Sequence, residues 1–173
     1  MQNSMTNTEL VKKFYNAFKN QDTQLYPQLC DEKIEWITLE GMPHGGKYVG
    51  LKAIFDDYFP RMLKNFTEFH AIPETFLESN DHVVVIGRYS GTSKIGKKFD
   101  VPFSHIYQIK DNKIIKFKQF TDTEKIQESL KVDYDSKLIE NVNMESTDDE
   151  ILDDFNKIKS GEASRMAQKS SGT

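Results

Sequence analysis

The segment over residues 99–123 constrains the fold of this chain most, because it predicts two long strands joined by a tight turn. Asp111-Asn112 lies between the two strands and is typical of two-residue hairpin turns. Apolar residues alternate with polar ones on both sides of that turn, as they do in strands that bury one face. The sequence therefore predicts an antiparallel β-hairpin that turns at residues 111–112.

Counting outward from the turn predicts the register of this hairpin. The predicted pairs are Ile109 with Ile114, Tyr107 with Lys116, His105 with Lys118, Phe103 with Phe120 and Val101 with Asp122. Because side chains alternate along a strand, one face then carries Val101, Phe103, His105, Tyr107, Phe120 and Asp122. An apolar face that includes a histidine and a carboxylate suits a small-molecule pocket. It equally suits a core face with one hydrogen-bonded histidine and an aspartate at its edge.

The residues before the hairpin predict helices first and strands later. Thr6 and Glu9 have the spacing of a capping box, and apolar residues at helical spacing follow them. A second helix is predicted to begin at Asp22, and the apolar residues of 33–39 predict a strand.

A long apolar stripe predicts a third helix over residues 51–66, with a kink or break near Phe59 because Pro60 lies inside it. From residue 67 the period changes to two, and strands are predicted over residues 67–79, 82–92, 97–109 and 113–122. A twisted sheet of this length curls over the helices. The predicted fold is therefore α+β: a cone-shaped, curved antiparallel sheet packed on N-terminal helices, with a C-terminal helical extension.

The negative charge of the chain is concentrated at its C-terminal end. Residues 1–130 carry 17 acidic and 17 basic side chains, whereas residues 131–173 carry 10 acidic and 6 basic ones. A formally neutral main domain lacks the positive field that captures nucleic acid, so no nucleic-acid partner is predicted. No secretory signal is visible, and no apolar stretch approaches the roughly 20 residues of a membrane span. We expect a cytoplasmic protein without a membrane partner.

Two regions follow from this organisation: an α+β cone domain over residues 6–130 and an acidic extension over residues 131–173. In the extension, a capping box and an apolar stripe predict an amphipathic helix at about 148–160, and the end of the chain is predicted to be disordered. A helix this short needs a docking partner in water, which we expect to be its own domain, a dimer mate or another protein.

Three segments in this order resemble the SnoaL-like, polyketide-cyclase-like branch of the nuclear-transport-factor-2-like superfamily, which also includes ketosteroid isomerases. They are KIEWITL, GMPHGGKYVGLKAIFDDYF and DHVVVIGRYSGTSKIGKKFDVPFSHIYQIKDNKIIKFKQFTDT, and a helix pair precedes them. The resemblance covers about residues 6–130 and implies a cone-shaped barrel, usually dimeric, with a pocket open at one end. Family members include isomerases, cyclases, dehydratases, epoxide hydrolases and non-catalytic binding proteins, so the fold alone does not settle an activity.

The resemblance implies a role for two residues of this chain. Asp122, in QFTDT, matches the acid/base aspartate of the cyclases and one aspartate of the epoxide hydrolases. His105, in PFSHIY, falls near the strand position where ketosteroid isomerases place a protonated aspartate as a hydrogen-bond donor. The tyrosine that the isomerases carry on their first helix has no match, because this chain has Phe14 at that position.

Other family positions carry unsuited residues. The base aspartate of the isomerases falls near Trp36 or Ile37, and the arginine and aspartate of the epoxide hydrolases fall near Tyr89 and Gly91. These departures argue against steroid isomerisation and epoxide opening by the known routes.

Asp122 and His105 are the predicted catalytic acid/base groups, with His105, Tyr107 or Tyr48 as donor to an enolate oxygen. Two structural alternatives stay open: Asp122 caps a helix that begins at residue 123, and His105 hydrogen-bonds a neighbouring strand. The predicted ligand-pocket residues are Trp36, His44, Tyr48, Phe55, Phe59, Phe103, Tyr107 and Phe120.

The predicted function is binding of a small hydrophobic carbonyl-type ligand by a homodimer, with cofactor-independent isomerase, cyclase or lyase chemistry as one interpretation. The alternative is a non-enzymatic module, in which the cone is a dimerisation scaffold and residues 148–160 recruit a protein partner. No cofactor and no metal are predicted. The single cysteine, Cys30, excludes a multi-cysteine zinc site, and no ligand spacing supports His44, His105 and Asp122 as a metal set.

Overall fold

The computed structural model describes residues 5–132, which contain four helices, a π-helical segment and six strands. In chain order they are α1 (Asn7–Lys19), α2 (Leu25–Gln28), β1 (Cys30–Thr38), β2 (Gly46–Val49), the π-helical segment (Lys52–Tyr58), α3 (Phe59–Leu63), β3 (Phe66–Ser79), β4 (His82–Ser93), β5 (Lys98–Lys110), β6 (Lys113–Thr121) and α4 (Thr123–Leu130). The helix predicted at 148–160 lies outside the described residues. Within 5–132, no helix has both the length and the apolar character that a membrane crossing requires.

The six strands form one curved sheet in the order β2-β1-β6-β5-β4-β3. The predicted α+β cone with N-terminal helices is confirmed, and so are the four long strands. One detail differs, because β1 pairs with β6 in parallel and the sheet is therefore mixed. A parallel pair needs a long connection, and here the connection is the chain between β1 and β6.

Helix α1 begins as the sequence predicts, whereas α2 begins at Leu25, three residues after the predicted start at Asp22. The hydroxyl of Thr6 accepts from the Glu9 amide at 3.1 Å, and the Thr6 amide donates to the Glu9 carboxylate at 2.8 Å. Asp22 accepts from the Leu25 amide at 2.9 Å in the turn that precedes α2. That helix is a single turn, because β1 already begins at residue 30.

The helix predicted over residues 51–66 runs without a break through Phe59 and ends at Leu63, but its hydrogen-bond pattern changes at Phe59. The helical turns over Lys52–Tyr58 are π-helical, and the α-helical pattern resumes at Phe59, next to Pro60. Since proline has no amide hydrogen, the backbone hydrogen-bond pattern cannot continue unchanged through it. Tyr58, Phe59 and Met62 are buried on the side of this helix that faces the sheet.

The β5–β6 hairpin turns where the sequence predicts, but its register differs beyond the first pairs. Asp111 and Asn112 have φ values of 51° and 57°, as a two-residue hairpin turn requires. Ile109 lies opposite Ile114, yet the next pair is Gln108 with Lys116. Ile115 is therefore the extra residue of a β-bulge.

The bulge reverses the predicted faces of β6. Phe117 now lies opposite Tyr107, and Gln119 lies opposite His105. A shift of one residue turns every following side chain to the other face, so the predicted inward positions of Phe120 and Asp122 are wrong. Phe120 is 40% exposed. The four predicted residues of β5 are buried as expected: Val101, Phe103, His105 and Tyr107.

Gly87 on β4 has no side chain, which lets the Phe103 ring pack closely against His105. A Cβ atom on Gly87 would lie 2.7 Å from the Phe103 ring and 2.2 Å from the carbonyl oxygen of Ile72, so only glycine fits there. The Phe103 ring covers this position and stacks on His105, with ring centroids 3.8 Å apart and planes 9° apart. The position of the histidine is thus fixed from behind by packing.

Candidate functional site

A cavity of about 30 Å³ lies between the helices and the concave face of the sheet. At roughly 10–15 Å³ for each water molecule, this volume holds about two or three waters. Most of the lining is aromatic: Phe14, Tyr15, Phe18, Trp36, Tyr58, Phe59, Met62, Phe69, Ala71, Tyr89, His105, Tyr107, Phe117 and Gln119. A ligand larger than a few atoms must therefore displace side chains as it enters.

His105 is the centre of a buried hydrogen-bond network that joins four elements. Its Nδ1 lies 2.6 Å from the Tyr15 hydroxyl on α1, and its Nε2 lies 2.5 Å from the Tyr89 hydroxyl on β4. The Gln119 side chain on β6 donates from Nε2 to the Tyr89 hydroxyl at 2.6 Å. Both ring nitrogens of the histidine are thus engaged by phenols.

The donors and acceptors of this network fit one tautomer. The Tyr89 hydroxyl accepts from Gln119. Among residues 5–132, the acceptor for the proton of that hydroxyl is Nε2 of His105. We therefore assign the proton of the imidazole to Nδ1, which donates to Tyr15. The other tautomer would leave the buried Tyr89 proton without an acceptor, which is costly. The Tyr15 ring also packs edge-on against Tyr107, with ring centroids 5.9 Å apart.

Burial keeps the network uncharged. Desolvation lowers the pKa of His105 well below its ordinary value, so the imidazole is neutral near pH 7. The same cause raises the pKa of Tyr15, Tyr89 and Tyr107 well above the ordinary phenol value. The lining contains no aspartate, glutamate, lysine or arginine, so the cavity wall carries no net charge at neutral pH.

Two side chains of the lining each hold one polar atom without a hydrogen-bond partner within the described part of the chain. They are Nε1 of Trp36, a donor, and Oε1 of Gln119, an acceptor. Both residues are 3% exposed. The Trp36 ring stacks on Phe117, with centroids 3.7 Å apart, which fixes the indole plane. Leaving such groups unpaired costs about 1–3 kcal/mol each.

The structure brings three of the eight predicted pocket residues together. Trp36, Phe59 and Tyr107 line the cavity, and so does His105, the predicted acid/base group. The other five do not line it: Phe103 packs behind His105, Phe55 stacks on Phe59, His44 is exposed and its carbonyl oxygen accepts from Tyr48, and Phe120 faces outward.

Sequence reasoning missed three members of the network: Tyr15, Tyr89 and Gln119. A signal for Tyr15 exists, because Val11 and Tyr15 are four residues apart and so share a helix face. Tyr89 has the strand parity of the inward residues Val83 and Val85. Gln119 has no comparable signal, since only the bulge turns it inward.

Asp122 is placed as a helix cap and not as a cavity group. Its Oδ1 accepts from the Lys125 amide at 3.2 Å at the start of α4, and its side chain is 36% exposed. The predicted catalytic pair is therefore not assembled in the cavity. Arg88, whose direction the sequence leaves open, lies on the outer face of the sheet in an ion pair with Asp100.

Cys30 and the histidines offer no second site in residues 5–132. Burial raises the pKa of the Cys30 thiol to about 12, so it is protonated and unreactive at neutral pH. No three side chains of the metal-binding types converge in this range.

The cone fold and the buried cavity together define a nuclear-transport-factor-2-like domain. Residues 11–117 match the family model described as SnoaL-like domain, which is more than half of the chain. The chain therefore belongs to the SnoaL-like family, and the resemblance drawn from the sequence is confirmed. A domain of this family is a small ligand-binding domain. No curated protein matches the sequence.

Solved structures share the same fold. The structure of TerC co-crystallised with polyporic acid is 25% identical, covers 72% of this chain and 97% of its own, and has a TM-score of 0.68. An NTF2-like protein from Burkholderia thailandensis E264 is 27% identical over 72% of this chain and 96% of its own, with a TM-score of 0.68. A protein with a ketosteroid isomerase-like fold from Catenulispora acidiphila DSM 44928, in complex with trimethylamine, is 16% identical to this chain. The match covers 72% of this chain and 93% of that protein, with a TM-score of 0.62. At 16% identity that similarity concerns the fold alone.

The buried neutral histidine predicts a pH-dependent stability. Because the pKa of His105 is lower in the folded chain than in the unfolded chain, unfolding takes up a proton between those two values. The free energy of unfolding is therefore expected to fall as pH decreases below about 6.5, by at most about 1.4 kcal/mol per pH unit. The His105→Gln variant should lose this part of the pH slope in urea titrations between pH 7.5 and 5. The exposed His70→Gln variant is the control, and an equal slope in all three proteins would contradict the expectation.

The capping position of Asp122 predicts the effect of its replacement. Asp122→Ala should lower the free energy of unfolding by about 1 kcal/mol, because the Lys125 amide loses its acceptor. Asp122→Asn keeps that acceptor and should remain within a few tenths of a kcal/mol of the wild type. Urea denaturation at pH 7 measures both values. Equal losses in the two variants would argue against the cap.

Proposed function

We propose that this domain binds a small, uncharged, largely apolar molecule in the cavity beneath the sheet. The observation that supports this most is the cavity wall itself, which is aromatic and carries a neutral histidine network but no charged side chain. Such a wall favours apolar surface and disfavours an ion, which would lose its hydration without gaining a partner. A carbonyl compound fits this description.

The similarity to TerC supports the same proposal. That protein was co-crystallised with polyporic acid, and its fold and 25% sequence identity relate it to this chain. Because the cavity here holds only about 30 Å³, we expect entry of a ligand to move side chains at its wall. Met62 has a flexible side chain and Phe18 and Phe69 are only half-buried, so we expect these three lining residues to move.

Cofactor-independent isomerase, cyclase or lyase chemistry is the finer form of this proposal. The Tyr15 hydroxyl lies in the lining between His105 and Tyr107 and could donate to a carbonyl oxygen of a bound molecule. A buried donor at that oxygen stabilises the negative charge that develops during proton transfer. His105 is the base nearest to it, although Nε2 already accepts from Tyr89.

We further propose that the chain forms a homodimer through the outer face of β3–β6. Four large apolar side chains are exposed there: Ile72, Leu77, Ile86 and Phe120. Ile86 lies opposite Ser104, which lies opposite Phe120, so two of them share one row across the sheet. An exposed apolar surface of this kind suits a two-fold interface. This interface is compatible with the ligand-binding role and with the non-enzymatic alternative.

Acetophenone tests the ligand-binding proposal in the full chain. Trp36 is the only tryptophan of the sequence and lines the cavity, so its indole N–H signal in a ¹⁵N-labelled sample reports on this site alone. We expect a saturable shift of that signal on titration. Ala71→Leu, which fills the cavity, should abolish the shift, whereas Ala53→Leu on the π-helical segment should not. Deuterium incorporation next to the carbonyl group in D₂O would additionally indicate proton transfer.

No saturable shift in the wild type, or the same shift in Ala71→Leu, would overturn the ligand-binding proposal.

Sedimentation velocity tests the dimer. The double variant Ile86→Lys, Phe120→Lys places charges in the proposed interface and should convert a dimer into a monomer. The control is Ile95→Lys, because Ile95 is 46% exposed but lies in the turn between β4 and β5. A monomeric wild type at micromolar concentration, or a double variant that stays dimeric, would contradict this interface.

A further inference from the structure

The residues that line the cavity differ in how well the fold covers them. Phe18, Phe69 and Ala71 are half-buried, whereas the other lining residues are buried, Met62 among them at 3% exposure. Phe18 belongs to the C-terminal end of α1, and Phe69 and Ala71 belong to β3. This strand is the last of the sheet, so within residues 5–132 one of its edges has no neighbouring strand. The cavity is therefore least covered between α1 and the free edge of β3.

Aromatic packing is interrupted at this place, which we call the seam between Phe18 on α1 and Phe69 on β3. Helices α1 and α3 both contact β3, so the two sides of the seam are close together. The rings on the two sides nevertheless have different partners within the described residues: Phe18 packs on Tyr26 and Phe59, and Phe69 packs on Phe66, Tyr89 and Phe99. The seam can therefore widen without breaking an aromatic contact across it.

Met62 is the lining side chain best suited to close this seam and to open it. It lines the cavity from α3, a helix of five residues that contacts β3. Its unbranched side chain has three rotatable bonds and adapts its conformation easily. The rings of Phe18 and Phe69, by contrast, can only turn as rigid units, and Ala71 has no side-chain rotation that would matter.

A second conceivable entrance, at the end of the sheet where the parallel strands β1 and β6 stop, is closed by tight packing. The loop after β1 places Met42 in the core with 2% exposure. Gln127 on α4 donates to the carbonyl oxygen of Gly41 at 2.7 Å, and a Cβ atom on Gly41 would lie 2.7 Å from the Cβ atom of Thr123. The loop and α4 thus hold each other, and an entering molecule would have to separate them.

We propose that a ligand enters and leaves the cavity through the seam between α1 and the free edge of β3, and that Met62 is the gate. This inference rests on the proposed ligand-binding function and adds the route by which a nearly filled cavity is reached. A gate changes how fast a molecule passes and leaves the stability of the bound state nearly unchanged. The association and dissociation rate constants should therefore respond together to a change at Met62.

Quenching of Trp36 fluorescence by acrylamide tests the route in the full chain without any ligand. Trp36 is the only tryptophan of the sequence and is 3% exposed, so the quencher reaches it when the structure opens. Met62→Ala should raise the quenching rate constant about tenfold, because the seam loses the side chain that closes it. The matched control is Met42→Ala, which also shortens a buried methionine but lies at the other entrance, and which should keep the rate constant of the wild type.

Met62→Ile tests the gate with a smaller change, in case Met62→Ala does not fold. A β-branched side chain of similar size is stiffer, so the seam should open less often. Stopped-flow measurements with acetophenone should then show association and dissociation rate constants that fall by a similar factor, with Kd within about twofold of the wild type. Met42→Ile should leave both rate constants unchanged.

The possible results separate this inference from the function on which it rests. Equal quenching in Met62→Ala and Met42→Ala, or a larger rise in Met42→Ala, would overturn the proposed route. A weaker affinity in Met62→Ile with an unchanged association rate constant would make Met62 a contact residue and overturn its role as the gate. If acetophenone does not bind but quenching rises in Met62→Ala alone, the route is supported and the ligand-binding function is contradicted.

Discussion

One extra residue in β6 determines the chemistry of the cavity. The bulge at Ile115 turns Phe117 and Gln119 inward and leaves Phe120 and Asp122 outside. Without the bulge, a carboxylate would lie on the inner face, as the sequence pattern predicts, and a buried carboxylate would call for a charged or protonated partner. With the bulge, the inner face of β6 presents an aromatic ring and an amide.

The amide completes a network whose members come from four separate elements. Gln119 orients Tyr89, Tyr89 occupies one nitrogen of His105, and Tyr15 on α1 occupies the other. Each of these hydrogen bonds is buried, and in such an environment a satisfied network rigidifies its surroundings and an unpaired group is costly. The histidine therefore ties α1 to the sheet and is neutral, so it contributes shape and hydrogen bonding to the cavity but no charge.

The sequence predicts the fold well because its signals are local. The capping box at Thr6, the change of helical hydrogen-bond pattern next to Pro60 and the turn at Asp111-Asn112 depend on neighbouring residues, and all three are present. The site depends on features that are not local. Tyr15 and His105 are 90 residues apart in sequence and meet only after α1 has docked, and no residue near Ile115 signals the bulge. His105 itself was predictable because strand parity on β5 is unaffected by the bulge.

The same reasoning limits what the QFTDT motif implies in this chain. A motif match places Asp122 at the family's acid/base position by counting residues, whereas a cavity group is defined by the direction of its side chain. Here that side chain accepts from the Lys125 amide and begins α4, so its oxygen is already used by the backbone. Proton-transfer chemistry in this domain would consequently have to use the phenols and the imidazole, all of which burial holds neutral. Neutral donors bind and polarise a carbonyl group more readily than they remove a proton from carbon, so the geometry favours recognition of a ligand over strong base catalysis.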